Sequence, residues 1–163
     1  MSALFIYGSS SLPTPSGDLL DQLIARVEER GLRAQRLVLS RLPIDALLAG
    51  NYREPPLTVA LAQVRAAPML VIDAPPDYLG LLKAFLALVP PGGLKGKDVV
   101  PVARFNSPAE QEAIDIMLRN ALRPLEPCRV LPWLCAAAND RAPVHQPGHL
   151  LHLTEELHLR LAV

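Results

Sequence analysis

A glycine followed by small hydroxylated residues lies immediately after the first apolar segment of the chain. Gly8 ends that segment, and the positions that follow carry Ser9, Ser10, Ser11, Thr14 and Ser16. If a helix begins here, its free backbone N–H groups and positive dipole end would bind a phosphate, and small side chains would let the anion approach. An alternative is that Ser16 only caps the helix and the other serines fill a turn. Asp18 favours this alternative, because a carboxylate in the first turn stabilises a helix but repels phosphate.

No residue pattern indicates a catalytic acid or base, or a metal site. Three histidines lie near the end of the chain, at positions His145, His149 and His152. The pair Pro147-Gly148 prevents a single ligating helical face, and no acidic or cysteine partner is near. The sequence gives no reason to pair any serine with a histidine base, as a Ser-His-Asp triad requires. We therefore predict no catalytic side chain and no metal ligand.

Apolar segments of two different periods alternate along the chain. Short apolar runs predict strands at 3–7, 33–39, 69–72, 99–103 and 129–136. Helical spacing of apolar residues predicts helices at 19–27, 43–48, 57–66, 78–89, 109–122 and 150–161. This alternation predicts an α/β domain over residues 1–163, with a five-stranded parallel sheet covered on both faces. Right-handed crossovers favour the doubly wound order 2-1-3-4-5, in which ligands bind beyond the carboxyl ends of the strands.

Composition and charge narrow the classes of function. Half of the 163 residues are hydrophobic, and 16 basic residues balance 16 acidic ones. We therefore expect a buried core and no nucleic-acid or anionic-membrane partner. The odd spacing of Cys128 and Cys135 predicts two buried free thiols rather than a disulfide. With no signal peptide or membrane span evident at the N-terminus, these features predict a cytoplasmic protein.

Several motifs, in the same order along the chain, resemble those of one family. Leu94-Lys-Gly-Lys97 precedes an apolar strand ending Pro101-Val-Ala103, and Gly80-Leu-Leu-Lys83 and Ala121-Leu-Arg-Pro124 lie in two predicted helices. With the Gly8-Ser9 loop, these motifs resemble the NAD(P)H-dependent FMN reductases of the alkanesulfonate-utilisation type, over roughly residues 4–125. The resemblance implies a flavodoxin-like three-layer sandwich that uses FMN and NAD(P)H. Reduced flavin would diffuse to a separate flavin-dependent monooxygenase.

The resemblance also implies which residues would hold FMN. The phosphate would be bound by the first loop, through Gly8, Ser9, Ser11, Thr14 and Ser16. The ring would lie in a slot formed after the third and fourth strands, by Pro75, Pro76, Tyr78, Phe105, Asn106 and Ser107.

The sequence departs from the family at the ring loops. After the third strand the family carries Thr-Pro-Val-Tyr and several more residues around the flavin ring, whereas this chain has Asp73–Tyr78, a loop about three residues shorter. The family's Gly-Gly turn after the fourth strand is replaced by Arg104–Pro108, whose side chains narrow the approach to the ring. Two hypotheses therefore follow: a flavin reductase, or a degenerate relative without flavin turnover that acts as a binding or scaffold subunit.

The predicted helix at 78–89 is apolar around most of its circumference. Such a helix is normally buried on several sides, and in a small domain a second copy of the chain is the simplest cover. Family members pair through this helix. We therefore expect a homodimer or homotetramer with Tyr78, Leu79 and neighbouring leucines at the contact.

Overall fold

The computed structural model describes residues 2–8, 15–76 and 79–137. Its strands are β1 Ser2–Tyr7, β2 Arg33–Val38, β3 Met69–Asp73, β4 Asp98–Phe105, β5 Arg129–Val130 and β6 Leu134–Ala137. They form a sheet of order β2-β1-β3-β4-β5, with β6 also paired to β4. Every pairing is parallel. The predicted fold class and strand order are confirmed.

Helices cover both faces of this sheet. They are α1 Pro15–Glu29, α2 Ile44–Leu48, α3 Pro55–Ala66, α4 Leu79–Leu88 and α5 Pro108–Leu122. Single 3₁₀ turns at Leu39–Arg41 and Arg123–Leu125 extend the connections after β2 and α5. The predicted final helix at 150–161 lies outside the described residues, so it stays a prediction, as does the single domain over 1–163.

Two hydrophobic cores lie on opposite faces of the sheet. Alternate residues of β3 show the division, because Leu70 and Ile72 pack against α2 to α5, whereas Met69 and Val71 pack against α1. All five residues of β3 are buried. A parallel strand covered on both faces has no solvent side, which is why this strand is a continuous apolar run in the sequence.

The fifth strand is interrupted. β5 pairs Arg129 with Asp98, and β6 pairs Leu134 with Val102, so the edge strand carries one more residue than β4 between these pairs. Pro132 in the interruption has no N–H group to donate to the sheet, which explains the break. The prediction of one continuous strand at 129–136 was therefore wrong in this detail. Cys128 precedes β5 and is exposed, so the prediction that this thiol is buried was also wrong.

The motif at 94–97 links the end of α3 to the start of β4 through Lys97. Leu94 is fully buried, and the ammonium group of Lys97 donates hydrogen bonds to the carbonyl oxygens of Arg65 at 2.7 Å and Ala67 at 2.6 Å. These carbonyls are at the end of α3, where the backbone lacks helical donors and the helix dipole is negative. This motif therefore supports the fold at the amino-terminal edge of the sheet, away from the predicted flavin loops.

Lys97→Met should lower the free energy of unfolding by about 1–2 kcal/mol, because two charged hydrogen bonds to the end of α3 are lost. Urea denaturation measures the change. The matched control is Lys95→Met, since Lys95 makes only an exposed ion pair with Glu126 at 3.0 Å. Such pairs contribute at most about 1 kcal/mol. Equal losses in the two variants would contradict this role for Lys97.

Candidate functional site

The carboxyl ends of β1, β3 and β4 lie side by side at one edge of the sheet. β1 ends at Tyr7, β3 at Asp73 and β4 at Phe105. After β1 the chain continues to β2 on one side of the sheet, and after β3 it continues to β4 on the other side. This divergence creates the crevice in which open α/β sheets bind ligands. We call it the switch-point crevice, defined by Gly8, residues 74–76 and residues 105–107.

The structure brings part of the predicted site together at this crevice. The described members are Gly8, Pro75, Pro76, Phe105, Asn106 and Ser107. Ser16 lies within the first turn of α1, which begins at Pro15. It is therefore not at the N-cap position that the simpler alternative required. The remaining predicted members Ser9, Ser11, Thr14 and Tyr78 lie outside the described residues.

Gly8 allows the first and third loops to touch. A Cβ atom at this position would collide with the backbone carbonyl oxygen of Asp73 and approach Cδ of Pro75 to 3.0 Å. Only a residue without a side chain fits such a close approach of two backbones. Ala74, which follows Asp73, donates a 2.8 Å hydrogen bond from its N–H group to the carbonyl oxygen of Val102. The floor of the crevice is therefore a tightly packed backbone surface.

The loop after β4 is organised by the start of α5. Ser107 is the N-cap residue, and its hydroxyl oxygen accepts a hydrogen bond from the N–H group of Glu110. The carboxylate of Glu110 accepts one bond from the backbone N–H of Asn106 at 2.6 Å and a second from its side-chain amide at 3.3 Å. This arrangement is a variant of the capping box. Polar groups that could face a ligand are thus used to begin a helix.

Phe105 ends β4 at the crevice, but its side chain packs into the core. Its ring is 8% exposed and makes an edge-to-face contact with Trp133, with ring centroids 5.2 Å apart. The indole N–H of Trp133 donates to Asp115 at 2.7 Å, and Asp115 also accepts from Arg119 at 2.7 Å. The guanidinium group of Arg119 lowers the pKa of Asp115. Trp133, in the interruption between β5 and β6, therefore supports Phe105 at the end of β4.

A second concavity opens beside β1 and β2. It has a volume of about 470 Å³ and is lined by Tyr7, Asp21, Arg36, Leu37, Val38, Arg41 and Leu42. The buried hydroxyl group of Tyr7 donates a 2.6 Å hydrogen bond to Asp21, which lies 3.8 Å from the guanidinium of Arg36. This network was missed at the sequence level, because its members come from β1, α1 and β2 and have no common spacing.

Among residues 2–8, 15–76 and 79–137, no group of three His, Cys, Asp or Glu side chains is placed to hold a metal ion. Within the same ranges, no helix is both long enough and apolar enough to cross a membrane.

Comparison with solved structures defines the class of protein. The chain superposes on the apo form of an NADH:FMN oxidoreductase with a TM-score of 0.84 and 27% identity, covering 99% of this chain and 89% of the other. A flavodoxin from Streptococcus pneumoniae shares the fold alone, with a TM-score of 0.62, 14% identity and coverage of 98% and 99%. The chain therefore has a flavodoxin-like fold.

Two sequence relatives are similar to the chain over nearly its whole length. An FMN reductase (NADPH) of Pseudomonas putida is 28% identical over 161 residues, covering 96% of this chain and 82% of the relative. An FMN reductase (NADPH) of Escherichia coli K12 is 27% identical over 164 residues, covering 99% and 84%. No family model matches the chain. The chain is thus similar to NADPH-dependent FMN reductases over nearly its whole length, and the resemblance predicted from the sequence is confirmed.

Tyr7→Phe should reduce stability in a pH-dependent way. Burial, and then the hydrogen bond to Asp21, raises the pKa of Tyr7 above its usual range. The neutral phenol is favoured in the folded protein, so its contribution is fully present below the unfolded pKa of about 10 and is lost as the pH rises further. The variant should lose about 1 kcal/mol at pH 7 and a smaller amount above pH of about 10.

Urea titrations between neutral and alkaline pH measure the difference between the two proteins. Tyr52→Phe is the control, because the Tyr52 side chain is 58% exposed. Parallel stability curves for wild type and Tyr7→Phe across the alkaline range would contradict the assignment.

Proposed function

We propose that the chain is a flavin reductase that binds FMN in the switch-point crevice and transfers hydride to it from NAD(P)H. The observation that carries the proposal is that β1, β3 and β4, the strands that precede the predicted flavin loops, end side by side at one edge of the sheet. Its relatives over nearly the whole chain are named FMN reductases, which supports the same activity. We expect the protein to act in the cytoplasm and to pass reduced flavin to a flavin-dependent monooxygenase.

In this proposal the protein positions the flavin and excludes water, while the bound flavin supplies the redox chemistry. The loop that starts at Gly8 would bind the phosphate through its N–H groups and through the hydroxyl groups of Ser9, Ser11, Thr14 and Ser16. Pro75, Pro76 and Tyr78 would lie along one side of the ring, and the backbone of Asn106 and Ser107 along the other. Phe105 would support this second side through its contact with Trp133.

The second candidate function is a binding or scaffold subunit without flavin turnover. The observation that favours it is the loop after β4. The N–H group of Asn106 already donates to Glu110, and the hydroxyl group of Ser107 already accepts from the start of α5. A flavin ring bound at this loop could not use these two groups, unless it displaced the carboxylate of Glu110 from the N–H group of Asn106.

An FMN titration separates the two functions. For the reductase we expect FMN binding, seen as quenching of flavin fluorescence, together with FMN-dependent oxidation of NADPH or NADH. Replacing Thr14 and Ser16 together by leucine should weaken FMN binding at least about tenfold, because two phosphate contacts are lost. Ser2→Leu, at the opposite end of β1, is the control. Unchanged affinity in the double variant would refute the phosphate assignment, and absence of FMN binding by wild type would favour the scaffold.

We also propose that two copies of the chain pair through α4. In the single chain Leu82, Phe85 and Leu86 are buried, whereas Leu81, Ala84 and Leu88 are only partly covered. Exposed apolar side chains also lie on α2 and just after it, with Leu48 at 68% and Tyr52 at 58% exposure. Since α2 and α5 pack beside α4, this face would present apolar surface to a partner copy.

Sedimentation tests the pairing. Wild type should behave as a dimer or tetramer at micromolar concentration. Ala87→Glu should shift it towards monomer, because Ala87 is an exposed residue of α4 whose replacement leaves the core intact. Ala25→Glu is the matched control, an exposed alanine of α1 on the opposite face of the sheet. A monomeric wild type, or equal behaviour of the two variants, would contradict the interface.

A further inference from the structure

Two arginines line the second concavity, the one that opens beside β1 and β2. Its volume of about 470 Å³ is within the range of small-molecule sites. Arg36 and Arg41 share this lining with a single carboxylate, that of Asp21, so the lining carries a net positive charge. A concave surface of one sign of charge attracts ligands of the opposite sign, which favours an anion here.

Both arginines belong to a segment of backbone that the core anchors. Arg36 is on β2, and Arg41 ends the 3₁₀ turn that follows this strand. Leu39 in that turn and Leu42 directly after it are buried, and the N–H group of Leu42 donates a 3.1 Å hydrogen bond to the carbonyl oxygen of Leu39. The backbone is therefore fixed in place, while both arginines are exposed to a ligand.

The carboxylate of Asp21 already has internal partners. It accepts a 2.6 Å hydrogen bond from the hydroxyl group of Tyr7 and lies 3.8 Å from the guanidinium group of Arg36. Burial, and then this hydrogen bond, raises the pKa of Tyr7, so the hydroxyl group keeps its proton at neutral pH. No ion pair within residues 2–8, 15–76 and 79–137 involves Arg41. A ligand can therefore use Arg41 without breaking an internal ion pair.

The lining suits a phosphate monoester that is joined to a less polar group. Guanidinium groups bind phosphate through charged hydrogen bonds, often two in parallel. Leu37, Val38 and Leu42 contribute apolar surface to the same lining, which can contact the carbon atoms of a sugar. A phosphorylated ribose combines the two properties.

The second concavity lies next to the switch-point crevice. Val38 at the end of β2 pairs with Tyr7 at the end of β1, and Gly8 of the crevice follows Tyr7 directly. Adjacent strands are only about 4.8 Å apart. A dinucleotide with its nicotinamide in the crevice is long enough for its adenosine ribose to reach the second concavity. In NADPH this ribose carries a 2′-phosphate, which NADH lacks.

We propose that the second concavity binds the 2′-phosphate of NADPH, and that Arg41 discriminates against NADH there. Arg36 supplies the second guanidinium group, and the apolar side chains contact the ribose. This inference rests on the proposed function and names the nucleotide that the reductase uses. Because the concavity lies outside the crevice, loss of Arg41 changes the choice of nucleotide and not the transfer of hydride.

The test compares kcat/KM for NADPH and for NADH, with FMN as acceptor, in wild type and in Arg41→Gln. We expect wild type to prefer NADPH by at least about tenfold, and Arg41→Gln to reduce this preference about tenfold, because charged hydrogen bonds to the phosphate are lost. The value for NADH should not change. The ratio of the two values does not depend on the folded fraction, so a loss of stability cannot mimic the result.

Arg33→Gln is the matched control. Arg33 is also an exposed arginine of β2, but it begins the strand at the opposite edge of the sheet. The same charge is removed, and the preference for NADPH should stay as in wild type. An unchanged preference in Arg41→Gln, or an equal change in Arg33→Gln, would overturn the inference.

Binding of nucleotide fragments separates this inference from the proposed function, because it needs no flavin. In calorimetric titrations, adenosine 2′,5′-bisphosphate should bind wild type about tenfold more tightly than AMP, and this difference should be lost in Arg41→Gln. Such discrimination in a protein that does not reduce FMN would support the site and refute the reductase. FMN reduction without it would leave the reductase standing and refute the site. Inorganic phosphate that binds as tightly as the bisphosphate would also overturn the inference, because the site would then recognise phosphate alone.

Discussion

The pairing of β1 between β2 and β3 is the constraint on which the rest of the structure depends. β1 contributes both faces of the core, because Leu4 and Ile6 pack with α2 to α5 while Phe5 and Tyr7 pack with α1. Since its neighbours run parallel, all carboxyl ends lie at one edge. A slip of one residue would exchange the two faces of the strand and bury different side chains in each core. The position of Gly8 at the crevice follows from this register.

At the crevice that results, the chain already uses some of its own polar groups. Glu110 accepts the hydrogen bonds of Asn106, and the hydroxyl group of Ser107 accepts one from the N–H group of Glu110. A ligand must compete with these internal partners rather than with water alone.

The motifs that resemble the family have roles in packing and in joining elements of the fold. Leu94 is in the core and Lys97 binds the end of α3, while Leu82 in the helix motif is buried between α4 and the sheet. These residues preserve the fold, which agrees with a TM-score of 0.84 to an oxidoreductase at only 27% identity. The departures from the family pattern lie instead in Asp73–Tyr78 and Arg104–Pro108, the segments at the carboxyl ends of β3 and β4.

The sequence by itself determined the strand order, the helices among the described residues and the edge at which the crevice forms. Continuous apolar runs and helical spacing are local signals, and the rule for right-handed crossovers converts them into one topology. The break at Pro132 could also have been expected, because proline cannot donate to a sheet. Only the tertiary structure decided which side chains meet. Tyr7 with Asp21, Trp133 with Phe105, and Asp73 beneath Gly8 are pairs separated by many residues, and no spacing in the chain encodes them. They are set by strand register and by the packing of helices on each face, which bring distant residues within a few ångströms.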